Sequence, residues 1–363
     1  MPHLEATRWW PTVLAAVGLA VGVFVLVSAA DGGSRTRAAA QAPSTFTPLA
    51  TYSLAAPHVL SEVLVYSVQG VAGGPNAAPP PETKPFPASV FSRPIAAYRA
   101  YALRQLRLME GELPLLQSAL AANDRIAAKA AWRIAMSDYL RLGAVYLDGE
   151  TALDAQVARL NQRIDGTPGG LPGGVADPGF TGLHRIEYGL WTSKPPSALV
   201  HIAGALDADV HRLAKVLPIA PVEPLEYATR THEILEDAAR GFLSGADVPW
   251  SQEGVLATNA GVEATEELIS TLRPVLGGLE RVVPAVDTEM RTLRSAIRGL
   301  AAAHGGSLPS NGQLTHRQSE MLDAALGGAL EALSNVPGVL ETEAPPAVPQ
   351  IPKADFRTNP IDP

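Results

Sequence analysis

Between residues 93 and 340, apolar residues recur every three or four positions, which is the spacing of one buried helical face. The first run covers residues 98–120 and contains Pro114. We expect this helix to kink or to end early there, because proline lacks an amide hydrogen and clashes with the preceding turn. Asn123 and Asp124 then offer a cap for a second helix, which carries Trp132, Met136, Tyr139, Leu140 and Tyr146.

Further periodic stretches follow along the same body. A helix is predicted over 153–164, then a Gly- and Pro-rich loop over 166–179, then a helix that ends near Ser193. No run with the alternation typical of β-strands stands out in this body. The pattern predicts an all-α helical bundle of about eight or nine helices. The later helices are expected over 197–216, 224–244, 255–276, 279–303 and 315–335.

The segments outside this body differ in composition. Residues 9–30 form a run of 22 uncharged, mostly apolar residues, long enough to span a bilayer as a helix. We therefore expect residues 1–30 to be a signal anchor, with a cleaved signal peptide as the alternative. Either one places the protein at the extracytoplasmic face of the cell membrane or in the periplasm. A mostly irregular stalk is expected over 31–92, and a Pro-rich, disordered tail over 341–363.

Charge and cysteine content narrow the classes of function. The 363-residue chain has a formal net charge of −8 and a pI near 5.5, and no basic stripe that would neutralise phosphates. Nucleic acid is therefore excluded as a partner. The chain contains no cysteine, so disulfides and thiolate metal ligands are excluded as well.

Two pairs of histidine and glutamate are the candidate metal ligands. In the motif Gly-x-His-x-x-Glu at 182–187, His184 and Glu187 lie three apart on one face of a helix. His232 and Glu236 lie four apart on a later helix and border its apolar stripe. Two such pairs on separate helices are typical of metal-binding bundles, and nitrogen and oxygen ligands suit iron, zinc, manganese or copper. The alternatives are a buried hydrogen-bonded pair for the first and a surface interaction for the second.

The chain resembles the imelysin-like family, specifically the EfeO-type extracytoplasmic components of bacterial iron uptake, with an actinobacterial-like branch as the nearest pattern. The resemblance covers roughly residues 94–340. It implies a helical bundle that binds iron, with zinc or another divalent metal as the alternative. It also implies a membrane iron permease and a haem-type peroxidase as partners. The blocks that carry it lie at 98–101, 171–175, 179–191 and 230–237.

The second helix departs from the pattern of that family. Its members carry a Tyr-Glu pair there, often with a histidine four residues before the glutamate. In this chain Tyr139 is followed by Leu140, and Met136 occupies the position one turn earlier. Asp138 cannot substitute, because it points about 160° away from Leu140 around the helix. Both replacements are apolar, as expected where a site has lost ligands.

Three functional hypotheses follow. The first is a non-enzymatic metal-binding component of an iron uptake system, with His184, Glu187, His232 and Glu236 as ligands. The second is a degenerate scaffold that keeps the bundle and docks within the same membrane complex. The third, ranked last, is a metallopeptidase, which needs an open metal position and a general base.

Overall fold

The computed structural model describes residues 86–145, 151–277 and 282–340. Within these ranges, every regular element is helical, and nine of the α-helices have ten residues or more. The predicted all-α bundle is confirmed. The helices are α1 (Ser92–Ala121), α2 (Arg125–Leu140), α3 (Ala152–Asp165), α4 (Gly182–Trp191), α5 (Val200–Val216), α6 (Pro224–Asp237), α7 (Gly254–Leu276), α8 (Val282–Ala303), α9 (His316–Leu333) and the short α10 (Asn335–Val339).

Helix α1 continues through Pro114, so the expectation of an early end there is wrong. The proline ring lies on the exposed face of the helix, whereas Met109, Leu113 and Leu116 on the other face are fully buried. Proline inside a helix costs about 3 kcal/mol. Burying each of these large apolar side chains stabilises the fold by about 1.5–3 kcal/mol. The buried face therefore outweighs the lost hydrogen bond.

Helix α2 begins at the cap that the sequence predicts. Asp124 Oδ1 accepts hydrogen bonds from the backbone N–H groups of Ile126 and Ala127, both at 3.0 Å. At the middle of α2, Trp132 is fully buried, and its Nε1–H donates to the backbone oxygen of Leu183 at 2.9 Å. This bond ties α2 to the start of α4.

The helices pack as two groups that meet along α7. In the first group, α1 packs on α2 and α5, and α4 packs on α2, α3 and α5. In the second group, α8 packs on α9, and α6 packs on α9 and α10. Helix α7 contacts α1 and α2 as well as α6 and α8. The buried apolar side chains form a single continuous core through both groups.

Two glycines bring the end of α3 against the start of α4. Gly166 has φ +73°, and a Cβ there would lie 1.7 Å from the backbone oxygen of Thr181. Gly182 has φ +71°, and its Cβ would lie 2.4 Å from the backbone oxygens of Arg163 and Ile164. Backbone therefore packs directly on backbone at this junction, and only glycine fits at either position. The first residue of the 182–187 motif thus has a structural role.

Several sequence predictions fall outside the described residues. They concern the apolar run at 9–30, the stalk up to residue 85, Tyr146 and the tail from residue 341. Among the residues that are described, no helix is both long enough and apolar enough to cross a bilayer. The signal anchor and its alternative, a cleaved signal peptide, stay predictions.

The α3–α4 junction yields a stability prediction. Gly182→Ala should lower the free energy of unfolding by more than about 2 kcal/mol, because left-handed backbone alone costs alanine roughly 1–2 kcal/mol and the two carbonyl contacts add to it. The matched control is Gly204→Ala, on an exposed turn of α5, where a Cβ meets nothing within 4 Å. That change should stabilise the protein by about 0.5–1 kcal/mol. Urea denaturation followed by circular dichroism measures both, and equal midpoints for Gly182→Ala and the wild type would contradict the prediction.

Candidate functional site

His184 and Glu187 form a buried pair on α4. His184 Nδ1 lies 2.7 Å from Glu187 Oε2, and the two residues are 3% and 0% exposed. The other carboxylate oxygen, Oε1, accepts a hydrogen bond from the backbone N–H of Ser251 at 2.8 Å. Both oxygens of Glu187 are therefore engaged, and the carboxylate fixes the orientation of the imidazole ring.

The second imidazole nitrogen faces Asp165, a residue that the sequence pattern did not indicate. His184 Nε2 lies 3.5 Å from Asp165 Oδ1, at the C-terminal end of α3. Burial alone would lower the pKa of His184, but Asp165 and then Glu187 outweigh burial and raise that pKa to about 10. The protonated ring thus carries a positive charge between two carboxylates.

A second carboxylate that the sequence pattern missed is Asp247. It follows a π-helical segment, Ala238–Phe242, which continues α6. The backbone N–H of Asp247 donates to the oxygen of Gly241 at 3.0 Å, and a Cβ at Gly241 would lie 1.7 Å from Asp247 Oδ2. Partial desolvation raises the pKa of Asp247, while the charge of His184 opposes this rise and that of Asp165 adds to it. Asp247 therefore lies within electrostatic range of His184 and Asp165.

These carboxylates line an open cleft of 310 Å³ between the two helix groups. Asp165, Asp237 and Asp247 contribute three negative charges, and Arg230 contributes one positive charge. Arg230 pairs with Glu233 at 3.0 Å and with Asp237 at 3.8 Å, so the lining keeps a net negative charge, which favours cations. The other lining residues are Tyr139, Leu140, Gly143, Asn161, Gln162, Ile234, Phe242, Ala257 and Gly261.

His232 and Glu236 form a separate pair on α6. Their side chains are 28% and 25% exposed, and His232 Nδ1 lies 3.6 Å from Glu236 Oε2. Glu236 also pairs with Arg240 at 3.2 Å. The face of α6 that lines the cleft carries Arg230 and Ile234, and His232 lies about 160° from both around the helix axis. His232 and Glu236 are therefore not among the residues that line the cleft.

The described residues contain no group of three or more His, Cys, Asp or Glu side chains arranged to hold a metal ion. What the structure does bring together is His184 with Glu187 and Asp165, the last two on opposite edges of the imidazole ring. A cation at the His184–Asp165 edge would face the cleft, since Asp165 lines it.

The two apolar replacements on α2 have different surroundings. Met136 is 1% exposed and belongs to the hydrophobic core. Leu140 is partly buried and lines the cleft beside Tyr139, whose hydroxyl donates to the backbone oxygen of Asn161 at 3.0 Å. A side chain at position 140 faces the cleft, and here it is apolar. Tyr98, Tyr101, Trp132 and Tyr139 are buried as well.

Comparisons with known proteins agree with this arrangement of helices. The family model described as imelysin, Peptidase_M75, matches residues 95–331. The chain is 23% identical over 250 residues to an iron uptake system component EfeO of Escherichia coli O157:H7, covering 68% of this chain and 63% of that relative. It is 22% identical over 274 residues to the protein of the same name from Yersinia pseudotuberculosis serotype I, covering 74% and 68%.

The chain thus spans less than two thirds of the length of the Escherichia coli relative. The family model nevertheless covers α2 to α8 completely and nearly all of α1 and α9. The resemblance read from the sequence blocks is confirmed, and this chain belongs to the imelysin family.

Proposed function

We propose that this protein is a non-enzymatic, extracytoplasmic metal-binding component of an iron uptake system, with iron as its cargo. The names of the relatives in Escherichia coli and Yersinia pseudotuberculosis support the system, and the negatively charged cleft supports a cation as cargo. A membrane iron permease and a haem-type peroxidase are the proposed partners, and the apolar run at 9–30 the proposed link to the membrane.

One observation carries the proposal: the orientation of His184. Histidines that bind metals usually give one ring nitrogen to the ion and the other to a carboxylate or carbonyl that fixes the ring. Here Glu187 holds Nδ1 at 2.7 Å, and Nε2 points to Asp165 at 3.5 Å. Two ligand atoms at ordinary metal distances of about 2 Å lie roughly 3.3 Å apart in tetrahedral geometry. The Nε2 to Oδ1 separation is therefore suited to a shared ion, which would displace the proton that Nε2 carries in the metal-free protein.

This geometry suggests different roles for the residues of the motif. We assign His184 Nε2 and Asp165 as ligands, with Asp247 approaching across the cleft. Glu187 orients the imidazole, because both of its oxygens already have partners. His232 and Glu236, proposed from the sequence as further ligands, are expected to contribute less, since they lie on a face of α6 turned from the cleft-lining residues.

The scaffold hypothesis has one specific observation in its favour. Leu140 stands on the wall of the cleft where the family pattern has a glutamate, and a site with fewer carboxylates holds a cation more weakly. A peptidase receives less support: Glu187, the acid of the motif, is fully buried with both oxygens engaged and is poorly placed as a general base. A proteolysis assay with a chelator control tests that hypothesis.

The metal site is tested by calorimetric titration with Fe²⁺ under anaerobic conditions, and with Fe³⁺ and Zn²⁺. His184→Ala and Asp165→Asn should each weaken binding at least about tenfold, and Glu187→Gln by about tenfold to a hundredfold, because outer partners of metal ligands have effects of that size. His232→Ala should have a smaller effect.

His201→Ala is the matched control, since His201 lies exposed on α5. It should bind each metal as the wild type does. Equal, weak binding by the wild type and His184→Ala would refute the metal-binding proposal and favour the scaffold.

Restoring an acid on α2 tests how far the site is degenerate. Leu140→Glu should strengthen Fe²⁺ binding about tenfold or more, because it returns a carboxylate to the wall of the cleft. Ile134→Glu is the matched control: it adds the same charge to the exposed face of α2 and should leave affinity unchanged. Met136→His should instead destabilise the protein, because position 136 lies in the core. If Leu140→Glu and Ile134→Glu bind alike, the missing carboxylate is not what limits affinity.

A further inference from the structure

Asn161 is a buried polar side chain without a partner. It lies on α3, is 8% exposed and lines the cleft. Its backbone oxygen accepts the hydroxyl of Tyr139 at 3.0 Å, but both atoms of its side-chain amide are buried without a hydrogen-bond partner. Buried amides are nearly always hydrogen-bonded, because leaving them unpaired is costly. This side chain therefore points to a ligand that enters the cleft.

The surroundings of Asn161 specify the kind of ligand. Asp165 lies one helical turn further along α3 and lines the same cleft, and Asp247 adds a second carboxylate. Asp237 lines the cleft as well, but it already pairs with Arg230 and Arg240. These groups accept hydrogen bonds and attract positive charge. The amide oxygen of Asn161 is a further acceptor, and its NH₂ group a donor. A cation surrounded by hydrogen-bond donors matches the carboxylates and the amide oxygen of Asn161.

The size of the cleft permits a hydrated ion. Its volume is 310 Å³. A water molecule occupies about 30 Å³ in the liquid, so the cleft has room for about ten. A bare ion with direct protein ligands needs a far smaller space, whereas a metal ion with six coordinated waters fits with room for a few more. The carboxylates at the rim, Asp237 and Asp247, are also exposed, as expected where an ion enters with its water.

We infer that the cleft receives its cation as an intact aqua complex, whose coordinated waters donate hydrogen bonds to Asn161, Asp165 and Asp247. Binding of an ion directly by His184 is then a later step, in which one coordinated water is exchanged for the imidazole nitrogen and the proton on that nitrogen is released. The inference rests on the proposed metal-binding function and adds to it a capture site and a residue, Asn161, that serves that site.

The test uses hexaamminecobalt(III), a complex that has six N-bound ammonia ligands and does not exchange them. It can bind only through hydrogen bonds and charge, so it reports the capture site alone. Titration calorimetry should show that it binds the wild type and competes with Mn²⁺. Asn161→Leu should weaken its binding about fivefold or more, whereas Gln156→Leu, on an exposed part of the same helix, should not.

His184→Ala separates this inference from the proposed function. That variant should still bind hexaamminecobalt(III) while losing Fe²⁺ affinity. Absence of hexaamminecobalt(III) binding to the wild type, or equal binding by Asn161→Leu, would overturn the capture site even if His184 proves to be a metal ligand. Unchanged Fe²⁺ affinity in His184→Ala would instead overturn the proposed function.

Stability supplies an independent readout. If the Asn161 amide serves a ligand, Asn161→Leu removes an unpaired polar group and should raise the midpoint of thermal unfolding of the metal-free protein. A lower midpoint would mean that the amide stabilises the fold, and it would overturn the inference. Gln156→Leu again provides the control for exchanging an amide for leucine on α3.

Discussion

The close approach of α3 and α4 is the constraint on which the site depends. At their junction a Cβ on Gly166 would meet the oxygen of Thr181, and one on Gly182 would meet the oxygens of Arg163 and Ile164. Without side chains in the way, the last residue of α3 reaches the first turns of α4. Asp165 and His184 are neighbours for this reason, although no helical spacing in the sequence connects them.

The charges around His184 then determine its protonation state and the orientation of its ring. A buried histidine without carboxylate partners would favour its neutral form, but Asp165 and Glu187 reverse that preference. The same two acids hold the ring so that one nitrogen is committed to Glu187 and the other faces Asp165, which lines the cleft. Two side chains set the polarity of the cleft wall. Leu140 is apolar and adds no charge there, whereas the side-chain amide of Asn161 is polar and has no hydrogen-bond partner among the described residues.

Helical periodicity predicted most of the fold, because each helix buries one apolar stripe and that stripe is visible in the sequence. Helix α1 continues through Pro114 against the expectation from local sequence, because the burial of apolar side chains on its other face exceeds the cost of the proline. The motif residues His184 and Glu187 were predicted correctly as a pair on one face. Asp165 and Asp247 were not predicted, because each depends on a close approach at a glycine: backbone against backbone at Gly182, and the carboxylate of Asp247 against Gly241.

The sequence by itself determined the class of fold, the family and the presence of a His–carboxylate pair, because these depend on spacing within single helices. The tertiary structure decided which groups face that pair. It turned His232 and Glu236 away from the cleft-lining face of α6 and brought Asp165 to His184. Contacts between helices depend on how they rotate and approach one another, and that is set by the packing of the whole core and by the few positions where only glycine fits.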